Sequence, residues 1–289
     1  MSSGPMDDVA LGAPPAGPDP SAGRRPSARP VVSGAAADGS AGSVVSGAAA
    51  DGSAGVVSGA AADGSAGAVV SAPHPDWVRS YAARRGRRSA LTEERLARFL
   101  PSRRIPSGPL DATAVFGRSA PLVLEVGCGH GAAAVAYAIA FPSQDVLAVD
   151  VHTPGVARLL AAADAAGVAN LRVELGDAVH LLADRLAPAS LAAVHLFFPD
   201  PWPKAKHAKR RFVRPLTLDL VHSRLAEGGI LLVATDDDGY AEHTLAELAA
   251  HGGFDVVVGD RPSWRPEDGF EAKGRAAGRT VTEVRATRR

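Results

Sequence analysis

The feature that most limits the possible folds is a regular alternation of short apolar segments with longer helical segments, beginning at Leu122. Strands that are joined by helices form right-handed crossovers, and therefore a parallel sheet with both faces covered. We accordingly predict an α/β fold with a doubly wound, mostly parallel sheet. The predicted strands are 122–126, 145–150, 171–175, 191–198 and 229–235, with further candidates at 254–258 and 280–284.

Capping and helix-breaking residues mark the predicted helices. A helix before the first strand is predicted to begin with Thr92 as its N-cap, because carboxylates follow it, and to end before Pro101. The helices predicted between the strands are 132–140, 155–166, 179–186, 216–225 and 240–251.

The first 71 residues have a composition that does not support a folded core. A unit of 12 residues, rich in glycine, alanine and serine, occurs three times, beginning at Val31, Val44 and Val56. Such short units bury too little apolar surface to offset the chain entropy that folding costs. We predict a disordered tail at 1–71 and one folded domain at 72–289.

Charge and cysteine content exclude several classes of protein. Lys+Arg and Asp+Glu both number 31, but residues 1–71 carry a formal charge of −3 and the remaining chain +3. Clustered positive charge attracts polyanions even at zero total charge. The single cysteine excludes an internal disulfide and a cysteine-based zinc site, and the histidines lack metal-ligand spacing. We expect a cytoplasmic protein with no metal, no membrane span and no obligate protein partner.

A glycine-rich turn follows the first predicted strand and precedes a helix. Glu125 lies just before Gly127, Gly129 and Gly131. Glycines allow a tight turn and a close approach of the backbone to a ligand, although a plain strand–helix turn has the same pattern. A dinucleotide site requires a glycine where Ala132 stands, which disfavours a nicotinamide-dependent oxidoreductase.

Acidic residues stand at the ends of three successive strands. Asp150 ends the second strand, and its two oxygens can accept both hydroxyls of a ribose. Asp177 follows the third strand and can accept from the exocyclic amine of adenine, whereas Glu125 can face an ammonium group. Ligands of doubly wound sheets bind outside the carboxyl ends of the strands. Together the three acids predict a cofactor site there.

This arrangement resembles the class I S-adenosylmethionine-dependent methyltransferases. The resemblance implies S-adenosylmethionine as the cofactor and a seven-stranded sheet with a reversed final hairpin. It also implies that the glycine turn, Glu125, Asp150 and Asp177 hold the cofactor, and that 72–289 is a methyltransferase domain.

The fourth strand ends in Phe-Phe-Pro-Asp-Pro-Trp at 197–202, followed by six Lys/Arg in the eleven residues 204–214. The prolines fix the backbone around Asp200, which can accept from N1–H and the exocyclic amine of guanine, with Trp202 supporting stacking. An isolated basic run is usually a solvated face, but beside a base pocket it indicates a phosphate clamp, including Arg210 and Arg211. Arginines at 84–88 provide a second candidate contact zone.

Longer motifs at 78–86, 151–156, 196–202, 209–211 and 234–243 resemble the bacterial tRNA (guanine-N7-)-methyltransferases over about residues 77–289. The resemblance implies that Asp200 is catalytic and also lines the cofactor pocket. It further implies that Lys204 and Asp236 contact tRNA, and that the target is a guanine in the variable loop, at tRNA position 46.

The chain departs from this family at 265–271, where the family pattern Arg-Pro-x-Thr-Lys/Arg-Phe-Glu has Asp268 and Gly269 at its fourth and fifth positions. Only Arg265, Pro266, Phe270 and Glu271 of that pattern carry over, and the resemblance implies that Phe270 and Glu271 contact the substrate. Two alternatives remain: a methyltransferase that modifies an exocyclic amine of a nucleic acid, and a non-catalytic RNA-binding relative.

Overall fold

A seven-stranded sheet organises the part of the chain that the computed structural model describes, namely Val78, Tyr81, 88–267 and 269–289. The predicted tail at 1–71 and the arginines at 84, 85 and 87 lie outside these residues. The strands are β1 (Leu122–Val126), β2 (Asp145–Asp150), β3 (Leu171–Leu175), β4 (Leu191–Phe197), β5 (Leu225–Thr235), β6 (Phe254–Gly259) and β7 (Thr282–Arg288).

The strand order is β3-β2-β1-β4-β5-β7-β6. Strands β1 to β5 are parallel to one another, and β7 pairs antiparallel with both β5 and β6. The predicted doubly wound, mostly parallel sheet with a reversed final hairpin is therefore confirmed. The chain order reverses between β1 and β4, which is where ligands bind in such sheets.

Helices cover both faces of the sheet, and β1 is buried on both of them. Leu124 and Val126 pack into the apolar layer on one face, and Val123 packs into the layer on the other face. The helices are α1 (Ala90–Arg103), α2 (Ala112–Phe116), α3 (Ala132–Ala140), α4 (Thr153–Ala165), α5 (Ala178–His180), α6 (Pro215–Arg224), α7 (Asp238–His251) and α8 (Gly269–Ala276), with a π-helix at Leu181–Arg185 and a 3-10 helix at Ala205–Arg210.

The predicted boundaries of α1 are wrong at both ends. Ser89 is the N-cap, and its side chain accepts a hydrogen bond of 3.2 Å from the backbone N–H of Thr92, which is itself inside the helix. Pro101 lies within the last turn, and the helix continues to Arg103. The N–H of Arg104 donates to the carbonyl of Leu100 at 2.8 Å, so the helix end is satisfied beyond the proline.

Candidate active site

The predicted acids lie along one edge of the sheet, where the parallel strands end. Glu125 is only 3% exposed, and in the sheet register it lies beside Ala148 of β2 and His195 of β4. The N–H of Gly176 donates to the carbonyl of Asp150 at 3.1 Å, which brings the turn after β3 next to the end of β2. The carboxyl ends of three strands thus converge at this edge.

The thiol of Cys128 lies in the electrostatic field of two of these carboxylates. Burial raises the pKa of Cys128, and the negative charges of Asp150 and Glu125 raise it further. Cys128 is therefore a neutral, buried side chain within the glycine turn, and both acids face this turn.

The glycine turn is fixed by contacts with β2 and α4. The N–H of Gly129 donates to Oδ2 of Asp150 at 2.7 Å, and the N–H of His152 donates to Oδ1 at 2.7 Å. Gly131 has a φ of 81°, and a Cβ built there would lie 2.3 Å from Cγ of Leu159. At Gly131 there is consequently no room for a side chain, and Asp150 is held beside the turn by its two hydrogen bonds.

Asp177 has one carboxylate oxygen in use and one available. Its Oδ1 accepts from the N–H of Val179 at 2.9 Å and so caps α5. Its Oδ2 is buried and has no hydrogen-bond partner among the described residues. A buried acceptor in this state costs about 1–3 kcal/mol, which a donor of a bound ligand would offset. These residues fit a cofactor with an adenine, a ribose and an ammonium group.

Asp200 projects from a strained turn at the end of β4. Phe198 and Trp202, on either side of it, have positive φ values of 49° and 44°. Residues other than glycine adopt this backbone conformation at a cost of about 1–3 kcal/mol each, and such strain is concentrated at functional sites. The Nε of Arg211 donates to the carbonyl of Pro201 at 2.9 Å, and this hydrogen bond helps to fix the turn.

In the basic segment after this turn, the arginines are partly buried and the lysines are exposed. The guanidinium of Arg210 lies 4.0 Å from the centre of the Trp202 ring and donates to the carbonyl of Tyr81 at 3.0 Å. Arg210 and Arg211, predicted as phosphate contacts, both have partners within the protein. The exposed cations of the segment are Lys204, Lys206 and Lys209.

Two predicted substrate contacts in the C-terminal part also have intramolecular partners. Asp236 pairs with Arg279 at 2.9 Å. Glu271 is buried and accepts from Arg265 at 2.9 Å and from Arg261 at 3.2 Å. The side chain of Phe270 lies outside the described part of the structure.

A cluster of aromatic rings beside Glu125 was not predicted from the sequence. His195 stacks on Trp264 with ring centres 5.1 Å apart and on Phe197 at 5.2 Å, and Tyr137 meets it edge-on at 4.9 Å. Burial lowers the pKa of His195 to about 3. The sequence signal was a polar residue at 195 within the apolar fourth strand, two positions before Phe197 on the same face.

The described residues include neither a candidate metal site nor a candidate membrane span. Within 88–267 and 269–289, no group of three or more His, Cys, Asp or Glu side chains is arranged to hold a metal ion. Among the helices that the structure describes, none combines the length and apolarity that a membrane span requires.

Comparison with known proteins locates the similarity in the segment that carries this site. The family described as "Putative methyltransferase" matches residues 119–284. A Mycobacterium avium protein named tRNA (guanine-N(7)-)-methyltransferase is 47% identical over 182 residues, which cover 62% of this chain and 70% of that protein. Proteins of the same name from Sodalis glossinidius and Aeromonas hydrophila are 43% and 41% identical over 214 residues, covering 72% of this chain and 90% of each relative.

Proposed function

This chain belongs to the tRNA (guanine-N(7)-)-methyltransferase family, and from that premise we propose that it transfers the methyl group of S-adenosylmethionine to N7 of a guanine in tRNA. The observation that carries the proposal is the strained turn that presents Asp200 at the sheet edge shared with Glu125, Asp150 and Asp177. The proposed target is position 46 in the variable loop, and the proposed location is the cytoplasm, where tRNA is present.

The carboxylates at the strand ends are proposed to hold the cofactor. Asp150 accepts from the ribose hydroxyls, Asp177 from the adenine amine, and Glu125 faces the ammonium group. When bound, S-adenosylmethionine supplies a methyl group on a positively charged sulfur. The glycine turn lets the backbone approach the ligand, and Asp200 closes the pocket on the substrate side.

Asp200 is proposed as the catalytic residue. N7 of guanine has an in-plane lone pair and no proton, so methylation needs no strong general base. The protein instead has to align the base and compensate the positive charge that develops on the purine. A carboxylate that accepts from N1–H and the exocyclic amine of guanine stabilises that charge, and the rigid turn holds Asp200 for this purpose.

The exposed lysines are proposed to bind the tRNA backbone. Lys204, Lys206 and Lys209 extend from the segment next to Asp200, where phosphates on either side of an inserted guanine would lie. Asp236 is proposed to meet the substrate together with Arg279, with which it is paired. Phe270 and Glu271 remain proposals by resemblance.

The test is Asp200→Asn, which keeps the shape of the side chain and removes its charge. We expect turnover on unmodified tRNA to fall by about 100-fold or more, because a charge-stabilising contact is lost from the transition state. Binding of S-adenosylmethionine, measured by calorimetry, should fall much less. Asp164→Asn, at an exposed position of α4, serves as the control and should be fully active.

Nucleoside analysis of the product distinguishes the alternatives. Formation of 7-methylguanosine by the unmodified enzyme supports the proposal. A methylated exocyclic amine would reject it in favour of the other methyltransferase class. Cofactor binding without methyl transfer to any tRNA would favour the non-catalytic relative.

A further inference from the structure

Arg265 connects the C-terminal elements to the end of β4. Arg265 is only 3% exposed, and a buried arginine normally requires partners for its charge. Its guanidinium donates to Oε2 of Glu271 in α8 at 2.9 Å and to Oε1 of Glu283 in β7. The two carboxylates thus fix the guanidinium in one orientation.

The same guanidinium lies against the two phenylalanines that precede Asp200. Its Cζ is 5.2 Å from the centre of the Phe197 ring and 5.4 Å from that of Phe198. Both distances are within the range of cation–π contacts, which strengthen when water is excluded. Phe198 is also one of the residues with positive φ, at 49°. Arg265 therefore contacts one of the two residues of the turn that have a positive φ.

We propose that Arg265 is a positioning residue for Asp200, holding the Phe197 and Phe198 rings so that the turn keeps its strained conformation. The proposal rests on the proposed function, because it concerns the same reaction. Glu271, which is proposed above as a substrate contact, has the additional role of orienting Arg265.

The buried ion pairs are better explained by orientation than by stability. Removing two carboxylates and a guanidinium from water costs free energy that their attraction often fails to recover, and apolar replacements are frequently as stable. A fixed guanidinium plane, however, can hold two rings in a geometry that an apolar side chain would not specify.

The test compares Arg265→Lys with Arg261→Lys. Lysine keeps the positive charge between the carboxylates but lacks the flat guanidinium that faces the rings. We expect Arg265→Lys to lower kcat by about 10- to 100-fold, the loss expected when a reacting group is misplaced, with little change in KM for tRNA or Kd for S-adenosylmethionine. Arg261 pairs with the same Glu271 at 3.2 Å but is 38% exposed, so Arg261→Lys should retain kcat.

A second variant tests whether Arg265 acts through the ring. Phe198→Leu should itself lower kcat while S-adenosylmethionine binding is retained. In the double variant with Arg265→Lys, the two losses should not multiply, because both remove the same contact. A fully active Phe198→Leu enzyme would overturn the proposal even if Arg265→Lys proved too unstable to purify.

Other outcomes also decide the question. Unchanged kcat in Arg265→Lys, losses that multiply in the double variant, or a loss of cofactor affinity as large as the loss of kcat would each overturn the positioning role. Failure of the unmodified enzyme to form 7-methylguanosine would instead reject the proposed function, so the two failures are distinguishable.

Discussion

The imidazole of His195 is enclosed by aromatic rings next to Glu125, and this environment determines its charge. Burial lowers its pKa from 6.5 to about 3, so the ring is neutral in the folded protein at neutral pH. In the unfolded chain, His195 takes up a proton near pH 6.5. The unfolded state therefore binds more protons between these values, and acid shifts the equilibrium toward unfolding.

The corresponding prediction concerns His195→Phe, which keeps a ring in the aromatic stack and removes the titration. The stabilising contribution of the neutral imidazole is present above pH 6.5 and is lost as the pH falls toward 3. The loss should be on the order of a few kcal/mol. Urea unfolding at several pH values should show a flatter decline for His195→Phe than for the unmodified protein. Phe197→Leu changes a ring of the same stack that does not titrate, so this control should leave the decline as steep as in the unmodified protein.

The first turn of helix α4 packs against the glycine turn of the proposed cofactor site. Gly155 packs against the glycine turn so closely that a Cβ there would lie 2.5 Å from the carbonyl oxygen of Gly129. Because that oxygen belongs to the backbone, it cannot move aside without displacing the turn. The position of α4 thus helps to set the shape of the glycine turn at the proposed cofactor site.

Gly155→Ala should therefore weaken cofactor binding. Overpacking at such a site costs about 1–3 kcal/mol of stability. If the turn shifts to relieve it, we expect the Kd for S-adenosylmethionine to rise by about tenfold, which is about 1.4 kcal/mol of binding free energy. Calorimetry measures this change directly. Gly259→Ala, where a Cβ would meet nothing within 4 Å, is the matched control. Equal affinity in both variants would show that α4 does not shape the turn.

The elements differ in how well their sequences predict them. The observed bounds of β1 and β2 match the predicted ones, because these strands are apolar runs that are buried along almost their whole length. Helix α8 was missed, since it begins at Gly269 and has a second glycine at 274, both poor helix formers. It is held by tertiary ion pairs, such as that between Glu271 and Arg265 at 2.9 Å.

At the scale of the molecule, the part of the basic segment that the structure describes presents its cations unequally to a polyanion. The basic segment contains six cationic residues, but Arg210, Arg211 and Arg214 each donate to a backbone carbonyl. The arginines keep their charge, but the lysines are the exposed cations of this segment, so we expect the lysines to make most of the direct phosphate contacts.

Replacing Lys204, Lys206 and Lys209 together by glutamine tests this distribution. The affinity for tRNA falls as salt rises, so the slope of log K against log salt concentration is negative. Each lost phosphate contact should make this slope shallower by about 0.7–0.9. Filter binding of tRNA at several salt concentrations measures the slope. A variant with Arg98→Gln and Arg285→Gln, two exposed cations of α1 and β7, should retain the original slope. An unchanged slope in the lysine variant would reject this role.

The location of the proposed active site was predicted from the sequence alone, because parallel strands bring their carboxyl ends to one end of the sheet and the acids stand at those ends. Glu125, Asp150, Asp177 and Asp200 could therefore be grouped without coordinates. The roles of the arginines could not be inferred, because a guanidinium acts on whichever group the fold brings within a few ångströms. Arg210 reaches the carbonyl of Tyr81, 129 positions earlier in the chain. Contacts over such distances depend on how separate elements pack, which local patterns of residues do not encode.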